Sequence, residues 1–325
     1  MNLQRAANTI RGLAMDAVEK AKSGHPGMPM GMADVAAVLW LKYLKHDPAD
    51  PSWPDRDRFV LSAGHGSMLL YSLLHLAGYD LPLEQLQQFR QLGSHTPGHP
   101  EYGDTPGVET TTGPLGQGSG NAVGMAIAER MLAARYNVAG EPPVVDHRTW
   151  VIAGDGCLME GISHEVFSLA GHLKLGRLIV FYDSNRITIE GSTDLACSDD
   201  ARRRFEAYGW EVQEIDGHDY VQIEAAIQRA LASEERPHLI ITRTHIAHGA
   251  PKLHDSHEAH GAPLGAEEVR AAKLNLGLPP DQEFYVPEEV RAMFAARREE
   301  LAAVHERWRR TFRSWKSAHP DLAAQ

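Results

Sequence analysis

The sequence predicts an α/β domain built on a mostly parallel sheet with helices on both faces. Short apolar runs recur at Arg58 to Ser62, Trp150 to Ala153, Leu178 to Tyr182, Glu211 to Ile215 and His238 to Thr242. Runs that are apolar on both faces belong to strands buried between two layers, as parallel strands are. Amphipathic stretches such as Ile162 to Leu175 and Tyr220 to Ser233 lie between them, and strands alternating with helices build crossover units. Asp155 and Asn185, each just past a predicted strand, stand thirty residues apart, about one strand-helix-strand unit.

Taken in order, the first element is a helix with Leu3, Ala7, Ile10, Ala14, Ala17 and Ala21 near one face, broken by the loop Ser23-Gly24-His25-Pro26-Gly27. The stretch from Gly93 to Gly120 is rich in Gly, Pro and Thr and has no period, which predicts a long loop, and long loops inside compact domains tend to be functional. After Pro279 a charged helix follows, with Val290, Phe294, Leu301 and Trp308 as inward contacts, ending near His319-Pro320. This divides the chain into a main domain over 1–280 and a helical extension over 281–325. There is no internal repeat and no low-complexity segment.

Composition narrows the function. With 325 residues and 43 % hydrophobic content, the chain is long enough for a sizeable core. A net charge of -11 argues against an extended nucleic-acid surface, which needs clustered cations. No apolar run reaches the roughly 20 residues that span a bilayer, and the start carries Arg5, Arg11, Asp16 and Glu19 rather than a secretion signal. Cys157 and Cys197 are too few for a disulfide framework. The expectation is a cytoplasmic protein with reduced thiols and no nucleic-acid or membrane partner.

The strongest chemical signal is Gly154-Asp155-Gly156 directly after one strand and Asn185 directly after the next. Both side chains then emerge at the carboxyl edge of adjacent parallel strands, where open α/β sheets bind ligands. Asp and Asn offer hard oxygen donors, and Mg²⁺ uses one or two such groups while phosphate oxygens and water complete its shell. The glycines let backbone N–H groups approach phosphate. By itself Gly-Asp-Gly also fits a plain strand-to-helix turn; the spaced Asn favours a metal. His25, His65 and His99 lie in Gly/Pro loops, where a lone histidine is commonly just solvated. The histidines at 245, 248, 254, 257 and 260 also admit a transition-metal reading, since imidazole is a common ligand.

The run from Gly154 to Gly161 (GDGCLMEG) with Asn185 downstream resembles the thiamine diphosphate signature in its transketolase form. Further segments resemble the same family in the same order: Lys22 to Gly27, Leu61 to Ser67, Thr96 to Glu101, Gly107 to Gly118 and His260 to Gly265. The resemblance implies a thiamine-diphosphate-binding fold over 1–280, with 281–325 leading toward a linker. It implies that Asp155, Asn185 and the Ile187 carbonyl ligate Mg²⁺, with Ca²⁺ or Mn²⁺ as substitutes. Gly156 would meet the diphosphate, His65 and His260 would sit at the diphosphate and thiazolium end, and Gly113, Pro114 and Leu115 would line the cofactor. His25, His99 and His260 would act catalytically on the sugar phosphate, an imidazole being able to move protons in both directions near neutral pH. Glu160 and Glu165 resemble glutamates at the family's subunit interface, though they also suit a helix start.

Full transketolases carry further domains, which hold the glutamate that protonates the aminopyrimidine, the aromatic residue stacked on that ring and the groups gripping the sugar phosphate. The resemblance therefore implies a ketol transferase that needs a pyrimidine-binding partner, as domain or subunit, in a homodimer or heterotetramer. A non-catalytic excised or truncated domain, or a part of a related enzyme such as dihydroxyacetone synthase or deoxyxylulose-phosphate synthase, are the other readings.

Overall fold

The computed structural model describes residues 2–325. Helix α1 (Leu3–Ala21) starts at Asn2, whose side chain accepts the Arg5 backbone N–H at 3.1 Å, and ends at Lys22 in the left-handed conformation. The expected single apolar face becomes burial nearly all round. Arg11 is buried in an ion pair with Asp34, and Asp16 is buried against Lys273. Helix α2 (Gly27–Val38) runs into one π-helical turn at Leu39–Tyr43. Strand β1 (Arg58–Leu61), α3 (Ser67–Ala77), α4 (Leu83–Gln87) and α5 (Gln117–Tyr136) follow, then β2 (Thr149–Gly154), α6 (Asp155–Met159), α7 (Gly161–His172) and β3 (Leu178–Ser184). A small hairpin, β4 (Ile187–Thr188) and β5 (Gly191–Ser192), precedes α8 (Ala201–Ala207), β6 (Glu211–Asp216), α9 (Tyr220–Leu231) and β7 (His238–Arg243). The chain closes with α10 (Ala266–Asn275), α11 (Glu288–Ala318) and α12 (Pro320–Ala323).

Five strands form one parallel sheet in the order β1-β2-β3-β7-β6. β2 and β3 are buried on both faces, as their sequences require, whereas β6 at the edge alternates between buried and exposed residues, leaving Glu214 and Asp216 in water. α2 and α9 cover one face and α5, α7 and α8 the other. One large apolar cluster fills these layers and takes in Val290 and Phe294 of α11.

A smaller cluster joins Met15 and Met30 to Ala247, Ala250, Ala259, Leu264 and Leu276. It seats the segment after β7 on α1 and α2. The contact is close: a Cβ on Gly27 would stand 2.6 Å from the Ala259 carbonyl oxygen, and one on Gly31 would stand 2.9 Å from that of His245. Only glycine fits there.

Two expectations change at the level of elements. The long loop ends at Gly116 rather than Gly120, because α5 begins at Gln117. Gly118 lies inside that helix, where a Cβ would be 2.6 Å from the Ser62 Cα, so it serves packing rather than flexibility. In α11, Val290, Phe294 and Leu301 are buried as expected, but Trp308 is only half-buried, its indole N–H donating to the Val144 carbonyl at 2.9 Å. His305, bonded to Asp47 at 2.7 Å, and Trp315 are the buried positions beyond Leu301.

Candidate active site

The register pairs Gly154 with Asp183, so the residues that follow, Asp155 and Asn185, leave the sheet at the same carboxyl edge. Asp155 opens α6 and is 7 % exposed. Its carboxylate accepts the Tyr182 hydroxyl and, at 3.2 Å, the Arg186 backbone N–H. The Asn185 amide donates to Asp183 at 3.0 Å, while its oxygen accepts the Ile187 N–H at 3.0 Å. Asp183, fully buried, takes the Thr244 hydroxyl on its other oxygen.

Burial pushes the Asp155 carboxyl up to about 6 and that of Asp183 up to about 7, the latter also raised by the Asp155 charge. Among the described residues no lysine or arginine forms an ion pair with either. Two neighbouring buried acids without a cation are costly, and a divalent ion is the natural remedy. The Asp155 carboxylate, the Asn185 side-chain oxygen and the Ile187 carbonyl are hard oxygens, the type that could hold Mg²⁺.

These residues line a cleft of about 600 Å³. Gly156, Asn185 and Ile187 form part of its wall, with Gly113 and Leu115 facing them; Pro114, between those two, does not reach it. Gly156 lies so close to Leu115 that a Cβ would stand 2.8 Å from that side chain. Apolar residues Met28, Ile189, Leu195 and Ile246 also line it, Ile189 and Leu195 at its open rim.

Histidines from separate loops converge on the cleft. His25 comes from the turn between α1 and α2, His65 from the turn after β1, and His260 from the segment seated by the second apolar cluster. The His65 and His260 rings stack with centroids 5.0 Å apart, and His25 lies 5.2 Å from the first and 5.9 Å from the second. His99 is 6.3 Å from His25, on a neighbouring depression rather than the cleft wall. Burial lowers all four: His25 to about 4, aided by Arg90 and the other imidazoles, and His65 to about 3. At neutral pH these rings are uncharged, able both to accept and to donate a hydrogen bond.

Sequence reasoning missed several participants. Arg90, held at a positive φ of 61°, donates to Ser23 at 2.8 Å and reaches the His25 Nδ1 at 3.4 Å. No periodicity marks it. Asp183 stands two residues before Asn185 at the end of β3, and an acid closing an otherwise apolar run was a readable signal. The run of histidines after β7 splits: His260 joins the cleft, while His245, His248 and His254 gather with His218 elsewhere and His257 joins neither group. Outside the cleft, Met131 and Leu132 of α5 and Ile162 and Leu169 of α7 are exposed; Glu165 in the first turns of α7 is exposed too, as is Glu160, which precedes that helix and also lines the cleft.

The family profile described as "Transketolase, thiamine diphosphate binding domain" matches residues 2–325. Transketolase 2 of Escherichia coli (strain K12) is 58 % identical over 328 residues, covering 100 % of this chain and 48 % of that protein. Transketolase 1 of the same organism is 57 % identical over 98 % of this chain and 48 % of its own length. Among solved structures, transketolase from Leishmania mexicana superposes with a TM-score of 0.98 at 47 % identity, over 100 % of this chain and 48 % of that one. That from Campylobacter jejuni superposes with a TM-score of 0.94 at 48 % identity, over 100 % and 50 %. The chain spans about half the length of the relatives it matches. No helix among the described residues is long and apolar enough to cross a membrane.

Proposed function

Because this chain belongs to the transketolase family, matching its thiamine diphosphate-binding domain, we propose that it holds that cofactor through Mg²⁺ and serves the transfer of a two-carbon ketol unit from a ketose phosphate to an aldose phosphate. The observation that carries this reading is the cation-free pair of buried acids, Asp155 and Asp183, facing clustered neutral imidazoles across one cleft.

Asp155, Asn185 and the Ile187 carbonyl hold the ion, for which Ca²⁺ or Mn²⁺ can substitute. Asp183 accepts the Asn185 amide N–H and so orients the side chain, whose oxygen lies toward Ile187. Gly156 meets the diphosphate through its backbone, His65 and His260 stand at the diphosphate and thiazolium end, and Gly113 and Leu115 line the cofactor. When bound, the cofactor supplies carbanion stabilisation. The chain's own part is positioning and proton traffic. His25, His99 and His260 accept protons from the sugar hydroxyls and return them, and Arg90 holds the His25 ring in place. The buried Met28 and Ile246 give the cleft its apolar wall.

A pyrimidine-binding half, as further domain or separate subunit, completes the site. The exposed apolar face of α5 and α7, with Glu160 and Glu165 beside it, is the dimer contact of a cytoplasmic assembly. Residues 1–280 form the cofactor domain and 281–325 lead toward the pyrimidine-binding half.

The test is calorimetric titration of thiamine diphosphate with Mg²⁺ into the chain combined with a transketolase pyrimidine-binding half. Asp155→Ala is expected to abolish the metal-dependent heat. Undiminished binding in that variant overturns the metal assignment.

A further inference from the structure

A second group of metal-binding side chains lies at the same carboxyl edge of the sheet, beyond β7 and away from the cleft. His245, His248, His254 and Asp255 sit on the loop after β7 and His218 follows β6. The rings of His245 and His254 stack at 4.6 Å, those of His218 and His248 at 4.0 Å. Two triads offer ligand atoms within 4.8 Å of one another: Asp34, His218 and His248, and His245, His254 and Asp255.

In the first triad Asp34 and His218 are already satisfied, and the buried His248 Nδ1 has no partner among the described residues. Asp34 accepts from Arg11, Tyr220 and the His218 Nδ1, and the other His218 nitrogen accepts the His245 backbone N–H at 3.1 Å. The buried Arg11 guanidinium would also repel an incoming cation. This triad is the mount on which His245 rests.

The second triad differs. The His245 Nδ1 lies 2.8 Å from one Asp255 oxygen, and the His254 Nε2 lies 3.4 Å from the same atom. A tetrahedral ion with bonds of about 2.0–2.1 Å to nitrogen and oxygen separates neighbouring ligand atoms by roughly 3.3 Å, so small adjustments suffice to admit one. No other cation competes for Asp255 among the described residues.

The loop is also built to hold its shape. The Asp255 N–H donates to the Ile246 carbonyl at 3.1 Å, and the Ala247 N–H donates to Gly27 at 3.0 Å. The buried Glu268 carboxylate accepts the N–H groups of Lys252 and Leu253 at 2.6 and 3.1 Å. Asp255 occupies the left-handed region at φ 59°, which aspartate tolerates better than most residues. Two imidazoles and a carboxylate on a fixed loop are a donor set for Zn²⁺ or a similar transition ion rather than for Mg²⁺.

We propose that the loop after β7 binds one transition-metal ion of the Zn²⁺ class through the His245 Nδ1, the His254 Nε2 and the Asp255 carboxylate, with water completing the shell. The site is separate from the cofactor cleft and independent of the reading given for it.

The test is Zn²⁺ titration of the untagged chain in excess Mg²⁺, which saturates hard-oxygen sites, followed by the visible spectrum of the Co²⁺ form. One Zn²⁺ per chain is expected, with a tetrahedral Co²⁺ band. His245→Ala and His254→Gln are each expected to weaken Zn²⁺ binding more than tenfold; both side chains are partly solvent-exposed, 51 % and 38 %, so the fold survives their loss. His218→Gln serves as the contrast, since it touches only the mount. Absence of stoichiometric binding, unchanged affinity in both loop variants, or loss confined to His218→Gln would each overturn the assignment.

Discussion

A buried aspartate with no cationic partner works against the fold that contains it, and Asp155 is such a residue. Its carboxyl is raised from 3.8 to about 6, so between those values the folded state holds a proton that the unfolded state has released. Stability without metal should therefore fall as pH rises from about 4 to 6 and stay low above it. Asp155→Asn removes that penalty: the metal-free variant is expected to melt several degrees higher than the parent at pH 8, with the gap closing toward pH 4. Equal melting temperatures at pH 8 would contradict the desolvation argument. The same ionisation governs the ion, so Mg²⁺ affinity measured by calorimetry should drop on acidification through about pH 6. His25 offers a different contrast, since it lines the cleft but is remote from the metal donors in sequence and in contacts. In the reconstituted enzyme, His25→Ala is expected to lower kcat by about 100-fold or more while changing cofactor affinity little. Comparable losses in both would remove His25 from the sugar side. Asp155 and Asn185 were marked in the sequence by the strand ends they follow, and His25 and His65 only by the family resemblance of their segments; Arg90 was marked by neither, since its contact is with a residue 65 positions away.

At the scale of elements, the strands were the most readable part of the sequence. β2 and β3 are apolar at nearly every position because helices cover both of their faces, and only β6, at the sheet edge, shows alternation. Helix starts were harder to see. The first turn of α5 contains Gly118 and Gly120, residues of low helix propensity, so propensity argued for loop while tertiary packing decided for helix. That packing makes a prediction. In Gly118→Ala the new methyl would press on the Ser62 backbone, which cannot swing aside as a side chain can. A loss of about 1–3 kcal/mol is expected from denaturant unfolding, whereas Gly124→Ala, in the same helix with open space around it, should be neutral or stabilising. Equal effects would mean that helix propensity rather than contact sets the cost. The last helix, α11, was located by its charge and spacing, but its inward face drifts along so long an element, which is why His305 and Trp315 were not anticipated.

For the whole molecule, the chain spans about half the length of its relatives, and in the function proposed above the acid that activates the aminopyrimidine comes from a pyrimidine-binding half. The purified chain with cofactor, Mg²⁺, xylulose 5-phosphate and ribose 5-phosphate is expected to show no turnover, and addition of a pyrimidine-binding half to restore it. Robust activity without a partner would show the machinery to be misplaced. The exposed Met131, Leu132, Ile162 and Leu169 make self-association expected, and Leu132→Glu should shift sedimentation toward the monomer. The strand order has a further, kinetic consequence. β1 and β2 are neighbours although roughly 90 residues separate them, and the cleft draws on loops from His25 to His260. Such long closures must precede any binding surface, so folding should be slow and its barrier crossed before the cleft exists. Mg²⁺ and cofactor then act only on the finished structure, lengthening its lifetime by slowing unfolding while leaving the refolding rate unchanged. Stopped-flow refolding that accelerates with Mg²⁺ would instead place the Asp155 end of β2 among the contacts already made at the barrier.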